Sequence, residues 1–258
     1  MLPMRNCFAL FFLLALTLFV GPAFAADYVD TNWQNLTRAL VRFNAIKLDD
    51  PLIMDDYALI TECDLYNQWY KDEFKWSAVR KAIMDSVRNN IATFPMNFHY
   101  DVRIQLDRYD FSRKLFLISS NTALRNINAL DMYSSSGPSC GFKEAKYLPH
   151  TFRAVLGTPL YLDGLPLSEA EGKAVVDKLA ADHNTNRNIF ARLNIKIIYI
   201  DALRKSTMRN GDMIVTRYDQ TTDGPSQTVR LDARLDSIDF YTDNHLGNLI
   251  YEYIPEGN

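Results

Sequence analysis

Phe98-His99-Tyr100-Asp101-Val102-Arg103-Ile104-Gln105-Leu106-Asp107 decides the fold class. Phe98, Tyr100, Val102, Ile104 and Leu106 are apolar, and every residue between them is polar. Successive side chains of a strand point to opposite faces, so strict alternation marks a strand with one face on a core and the other in water. The five apolar side chains are expected to face the core together. Asp107 to Asp110 reads as a turn, and Phe111 to Ile118 as the returning strand.

Upstream the period changes from two to between three and four. Trp33, Leu36, Leu40, Phe43 and Ile46 form one helical stripe, with Thr31 and Gln34 spaced as a capping box in front of it. Asp50-Pro51 starts a second helix, with Asp50 as cap and Pro51 at the first helical position; its stripe is Leu52, Leu59, Cys63, Tyr66 and Tyr70. A third runs from about Asp72 to Thr93 on Trp76, Val79, Ile83, Val87, Ile91 and Phe94, and Pro95 ends it.

Downstream the chain is rich in strands. Residues 119–150 are irregular and Ser/Gly-rich at 134–138. Thr151 to Leu162 reads as a strand, Ser168 and Glu171 make a capping box for a short helix, and Ile189 to Ile200 is a strongly β-branched strand. The set Ile189, Ala191, Leu193, Ile195, Ile197 and Tyr199 is expected on one buried face. Residues 212–219 and 226–241 read as a hairpin. The second of these changes phase after Leu235, which predicts a β-bulge near Ser237, and Leu249 to Ile254 closes the sheet. Helices followed by mostly antiparallel strands give an α+β fold, with an N-terminal helical layer packed on a mostly antiparallel sheet. The expected organisation is a signal peptide over 1–25 and a single domain over 26–258, helical over 26–95 and strand-rich over 96–258.

The first 25 residues are set apart from that fold. Arg5 precedes an apolar run from Phe8 to Val20, and Ala23-Phe24-Ala25 supplies the small-x-small pattern of a signal peptidase site. The run is well short of the ~20 residues that span a bilayer. Cleavage after Ala25 is expected. The Ala-x-Ala site points to bacterial export, hence a periplasmic or secreted protein with no membrane span after cleavage.

The chain has 258 residues and a formal charge of −3. No basic block is present, so the electrostatic footprint of a nucleic-acid binder is absent and no nucleic-acid partner is expected. With only ten glycines there is no Gly-rich phosphate loop. His99, His150, His183 and His245 show no zinc-pair spacing, and no cofactor and no metal are expected. His99 falls on the polar face of its strand, where exposure to solvent is the plain reading. Asp49, Asp50, Asp55 and Asp56 form an acidic cluster. Paired carboxylates can hydrolyse glycosides, but Asp50 is spoken for as a cap, and acids in a first helical turn suit the helix dipole.

The most suggestive patch is Tyr66, Trp69, Tyr70, Phe74 and Trp76, interleaved with polar residues. Such rings stack on sugar or peptide. The competing reading puts Tyr66, Tyr70 and Trp76 in core stripes. Trp69, Tyr70 and Phe74 are the candidate binding residues. Cys140, in Ser139-Cys140-Gly141, is either a nucleophile or half of a disulfide. Once the signal is removed, Cys63 and Cys140 are the remaining cysteines, and an oxidising compartment pairs them.

Three stretches, Asp107-Arg108-Tyr109-Asp110-Phe111, Leu165-Pro166-Leu167-Ser168-Glu169-Ala170-Glu171 and Arg187-Asn188-Ile189-Phe190-Ala191-Arg192, together resemble uncharacterised bacterial exported proteins, domains of unknown function, over roughly residues 97–203. The resemblance implies a bacterial exported origin and carries no activity. The expected role is a binding or structural module of the cell envelope, its partner a protein or glycan. The alternative is an exported hydrolase with a site assembled from loops 119–150 and 182–188. A deep pocket shared by histidine and carboxylate side chains would favour the enzyme; a shallow aromatic groove near Trp69 would favour the binder.

Overall fold

The computed structural model describes residues 27–255 apart from 123, 135–139, 141–142, 144, 202–203, 211–212 and 220–227. The signal peptide expected over 1–25 lies outside the described residues. Five helices are described: α1 (Trp33–Arg42), α2 (Pro51–Thr61), α3 (Cys63–Trp69), α4 (Glu73–Asn90) and α5 (Glu169–Ala181). The strands are β1 (Val29–Asp30), β2 (Asn97–Asp110), β3 (Leu115–Ile118), β4 (Ile127–Ser134), β5 (Thr151–Leu160), β6 (Gly164–Pro166), β7 (Asn188–Ile200), β8 (Arg204–Asn210), β9 (Met213–Asp219), β10 (Thr228–Tyr241) and β11 (Leu249–Tyr253).

The class is α+β. The main sheet runs β4-β5-β10-β7-β2-β3-β6, with β1 added to β2 and β11 to β10. It is mixed: β1 lies parallel to β2 and β5 parallel to β10, while the other pairs are antiparallel. Nor are the helices confined to an N-terminal layer, since α5 comes after β6. One hydrophobic cluster runs through both parts. It joins Leu36, Leu40, Met54 and Tyr57 of the helices to Phe98, Ile104, Phe152, Ile195 and Phe240 of the sheet.

Phe98, Ile104 and Leu106 are buried and Tyr100 and Val102 are half-buried against the core, as the alternation requires. β2 continues through Asp110, so the expected turn at Asp107 to Asp110 is strand, and the chain turns at 111–114 instead. Lys114 takes the left-handed conformation that this turn needs. On β7, Ile189, Ala191, Leu193, Ile195 and Ile197 are buried as expected, but Tyr199 is 52% exposed. Tyr199 pairs with Asp232 and Ile197 with Ala233, so Ile198 is an extra residue that reverses the phase. The bulge expected near Ser237 forms: Leu235 faces Ile195 and Ser237 faces Asn194, leaving Asp236 as the inserted residue.

Four local expectations are corrected. Part of the stretch expected to be irregular over 119–150 is a strand, β4, paired with β5. The cap of α1 is Asn32, which accepts from the Asn35 amide, not Thr31. The second helix is two: it breaks at Glu62, whose φ of −132° is not helical. Its first half, α2, buries Ile53, Met54, Tyr57, Ala58, Leu59 and Ile60, and leaves the expected stripe residue Leu52 exposed. Residues 213–219 pair with 204–210 in a separate ribbon, and β10 pairs with β5 and β7. The loop expected over 220–227 lies outside the described residues.

Candidate functional site

The candidate residues gather at the corner between α3 and α4. Cys63 opens α3, and its disulfide to Cys140 brings the α-carbons to 5.6 Å. Asn67, one turn along, donates to Cys140 Sγ at 3.0 Å. Lys143 donates its backbone N–H to the Cys140 carbonyl at 2.9 Å. The Lys143 ammonium then stands 5.0 Å from the Tyr66 ring and 4.7 Å from the Tyr70 ring.

Tyr66 and Tyr70 are four apart on the helical path and stack with centroids 4.2 Å apart. Trp76 meets both edge-on, at 5.3 and 5.4 Å. Its indole N–H donates to Asp55 Oδ1 at 2.9 Å, and Arg80 grips the same carboxylate through Nε and Nη2, both at 2.9 Å. Asp55 therefore ties α2 to α4. Burial, and after it the hydrogen bond with Tyr70, pushes the Tyr66 phenol well above its ordinary range.

The three predicted binding residues differ in what they offer. Trp69 is half-buried with the Lys75 ammonium 4.8 Å from its ring. Tyr70 is at the margin of exposure, one face on Tyr66. Phe74, just after the Asp72 cap of α4, is 90% exposed. The corner thus presents one bare phenyl ring on a mount of interlocked rings.

Beneath this corner lies a buried carboxylate that the sequence assigns to a helix terminus. Asp56 sits beyond the first turn of α2 and accepts the backbone N–H groups of Tyr147 and Leu148, the latter at 3.0 Å. Burial pushes it up to about 6, against the pull of those N–H donors. His150 is buried too, its Nε2 2.7 Å from the Ala145 carbonyl and its ring 4.8 Å from Trp33. Asp50 does cap α2, accepting from the Leu52 N–H at 2.9 Å.

The remaining histidines lie apart. His183 takes a left-handed conformation after α5, and His245 lies in the loop organised by Asp243. His99 is not open to solvent as expected. It is half-buried, its Nδ1 2.8 Å from Asn194 Oδ1, with Tyr28 stacked on it at 5.3 Å. Asn194, only 7% exposed, donates to Ser237 Oγ at 2.8 Å and Asp239 Oδ2 at 3.0 Å. Alternation alone misses this network because Tyr28 reaches it from a segment with no periodicity.

Within the chain, the stretch that holds the two disulfide-bonded cysteines and every ring of the corner is also the stretch that comparison singles out. Residues 49–155 match DUF4852, a domain of unknown function. No curated protein and no solved structure matches the chain. The DUF4852 segment runs from α2 into the first half of β5. An uncharacterised family is what the sequence resembles, and the match puts it at 49–155 rather than 97–203. Of the three stretches that carry the resemblance, only Asp107 to Phe111 falls inside DUF4852.

Proposed function

We propose that the protein is an exported binding module of the bacterial cell envelope, and that it grips a protein partner with the α3–α4 corner. The observation that carries this reading is Phe74, 90% exposed on a mount held by the Cys63–Cys140 disulfide and the Asp55–Arg80–Trp76 lock. A lone aromatic knob on a rigid base suits insertion into an apolar pocket of a partner protein. A sugar platform instead needs broad open faces, and the faces of Tyr66, Tyr70 and Trp69 are engaged by one another and by Lys143 and Lys75. Export is supported by the Ala23-Phe24-Ala25 site and by the disulfide, which suits an oxidising compartment. Among the described residues no helix is long and apolar enough to cross a membrane.

The test places p-benzoylphenylalanine at position 74 in cells and irradiates them. One envelope protein should be captured, and the same probe at exposed Leu249 should not capture it. The purified partner should bind the wild type and lose about tenfold or more in affinity with Phe74→Ala. Equal capture from both positions, or adducts with glycan alone, overturns the reading. Sequencing of the mature N-terminus checks cleavage after Ala25.

A further inference from the structure

The three stretches that stand out in the sequence meet in space. Tyr109 Oη donates to the Leu167 carbonyl at 2.7 Å, the Leu106 N–H donates to the Arg187 carbonyl at 3.0 Å, and Arg187 Nη1 donates to the Asp107 carbonyl at 3.0 Å. Where they meet, β2 is bulged. Leu106 pairs with Ile118 and Tyr109 with Phe116, so β2 carries one residue more than β3, at Asp107–Arg108. A shallow cleft of about 530 Å³ opens there, and Gln105, Asp107, Arg108, Thr185, Asn186 and Arg187 supply its polar wall.

The charges of this wall are unspent. Elsewhere Arg80, Arg113, Arg125, Arg153, Arg192 and Arg234 are each closed by an aspartate. Arg38 pairs instead with Glu62, and among the described residues Arg42, Arg103, Arg108 and Arg187 have no carboxylate partner. Arg42 gives its guanidinium to the Phe94 carbonyl, and Arg103 stands on the open face of β2. The other two both line the cleft. Arg187 is moreover held at a φ of 51°, in the left-handed region that glycine occupies without strain and other residues only at a cost. Its turn is built around it: Asn184 accepts the Asn188 N–H at 3.0 Å and donates to the Asn188 carbonyl at 2.6 Å. One N–H of the guanidinium is pinned on Asp107, which leaves the rest of the fork pre-positioned.

We propose that this cleft binds a small oxyanion, phosphate- or carboxylate-bearing, with Arg108 and Arg187 as its anchors. A guanidinium fork matches two oxygens of such a group at once. Asp107, on the same wall, adds a requirement: the ligand also presents a hydroxyl or amine beside its anionic group. Gln105, Thr185 and Asn186 complete a wall of neutral hydrogen-bonding groups suited to hydroxyls. The site is distinct from the α3–α4 corner and does not depend on the function proposed for it.

The test titrates the full mature protein with glycerol 3-phosphate and, separately, with glycerate, following the side-chain amide resonances of Gln105 and Asn186 at constant ionic strength. Saturable shifts with at least one probe are expected, and which probe binds tells phosphate from carboxylate. Arg108→Gln should weaken binding about tenfold or more, the loss of a charge-assisted bond, while Arg103→Gln leaves it unchanged. Arg187→Gly removes the anchor and relieves the backbone, so it should fold with its Tm within a few degrees of wild type and bind neither probe. Shifts that do not saturate with either probe, or equal weakening by Arg103→Gln and Arg108→Gln, overturn the proposal.

Discussion

Tyr28 Oη donates a 2.8 Å hydrogen bond to Asp236 Oδ2, joining the residue just before β1 to the bulge of β10 across 208 residues of sequence. The bulge makes this bond available, because Asp236 has no place in the β7 pairing and its carboxylate turns to Tyr28 and Arg234. Burial, and then the Asp236 carboxylate, holds the Tyr28 phenol above its ordinary range. Tyr28→Phe keeps the ring on His99 and deletes the bond. It should cost about 1 kcal/mol in urea unfolding and speed amide exchange at Val29, while exchange in the middle of β7 stays slow.

Asp56 sets a pH dependence. Its folded-state value of about 6 lies above the ordinary 3.8, so the folded chain binds this proton more tightly than the unfolded chain. Its contribution to stability therefore falls as pH rises from about 4 through 6, the reverse of a salt-bridged carboxylate. Asp56→Asn keeps a carbonyl acceptor for the loop and has no charge to bury. The stability of wild type relative to Asp56→Asn should decline by on the order of 1–3 kcal/mol between pH 4 and 7. A difference that stays flat or grows across that range contradicts the assignment. Asp56→Ala orphans the buried N–H groups of Tyr147 and Leu148 and should destabilise at every pH.

The Cys63–Cys140 disulfide closes a loop with a sequence separation of 77. The chain-entropy model gives such a closure roughly 4 kcal/mol, with 2–4 typical. The double variant Cys63→Ser, Cys140→Ser should lose stability in that range, and dithiothreitol should lower the Tm of the wild type but not of the variant.

Gly164 is irreplaceable for a steric reason. A β-carbon there would come within 2.2 Å of the Phe116 carbonyl oxygen, a backbone atom that is held in the β3–β6 pairing. Gly164→Ala should cost about 2–3 kcal/mol. At Gly172 the nearest atoms are those of the Tyr109 ring, at 3.0 Å, and a side chain yields where a carbonyl does not. Gly172→Ala should therefore cost less. Paired chemical denaturation curves decide the order.

Much of the fold is legible because burial has a period. Helix α4 and strands β2 and β7 are long enough for the pattern to declare itself, and even the β10 bulge is visible as a change of phase. What escapes has no periodic signature. The break at Glu62 falls between two helices that each continue the apolar pattern. The Ile198 bulge hides because Ile197, Ile198, Tyr199 and Ile200 are all apolar, so the phase reversal leaves no mark. The order of strands is set by pairings between residues tens to hundreds of positions apart. At the corner, the sequence identifies the rings but not their division of labour, because which ring is bare depends on where Lys143 and Lys75 come to rest. The cleft is the least visible: its arginines look like ordinary surface charges until the aspartates that close the others are located.

β10 lies in the interior of the main sheet, with β7 along one edge and, along the other, β5 followed by β11. In the chain it comes after both β5 and β7, at residues 228–241. Until residue 241 has emerged, β5 and β7 lack the strand that joins them, and each shows an open edge able to pair with the wrong chain. The two parts of the main sheet thus join only after β10 has been made. Edges that wait that long call for a chaperone.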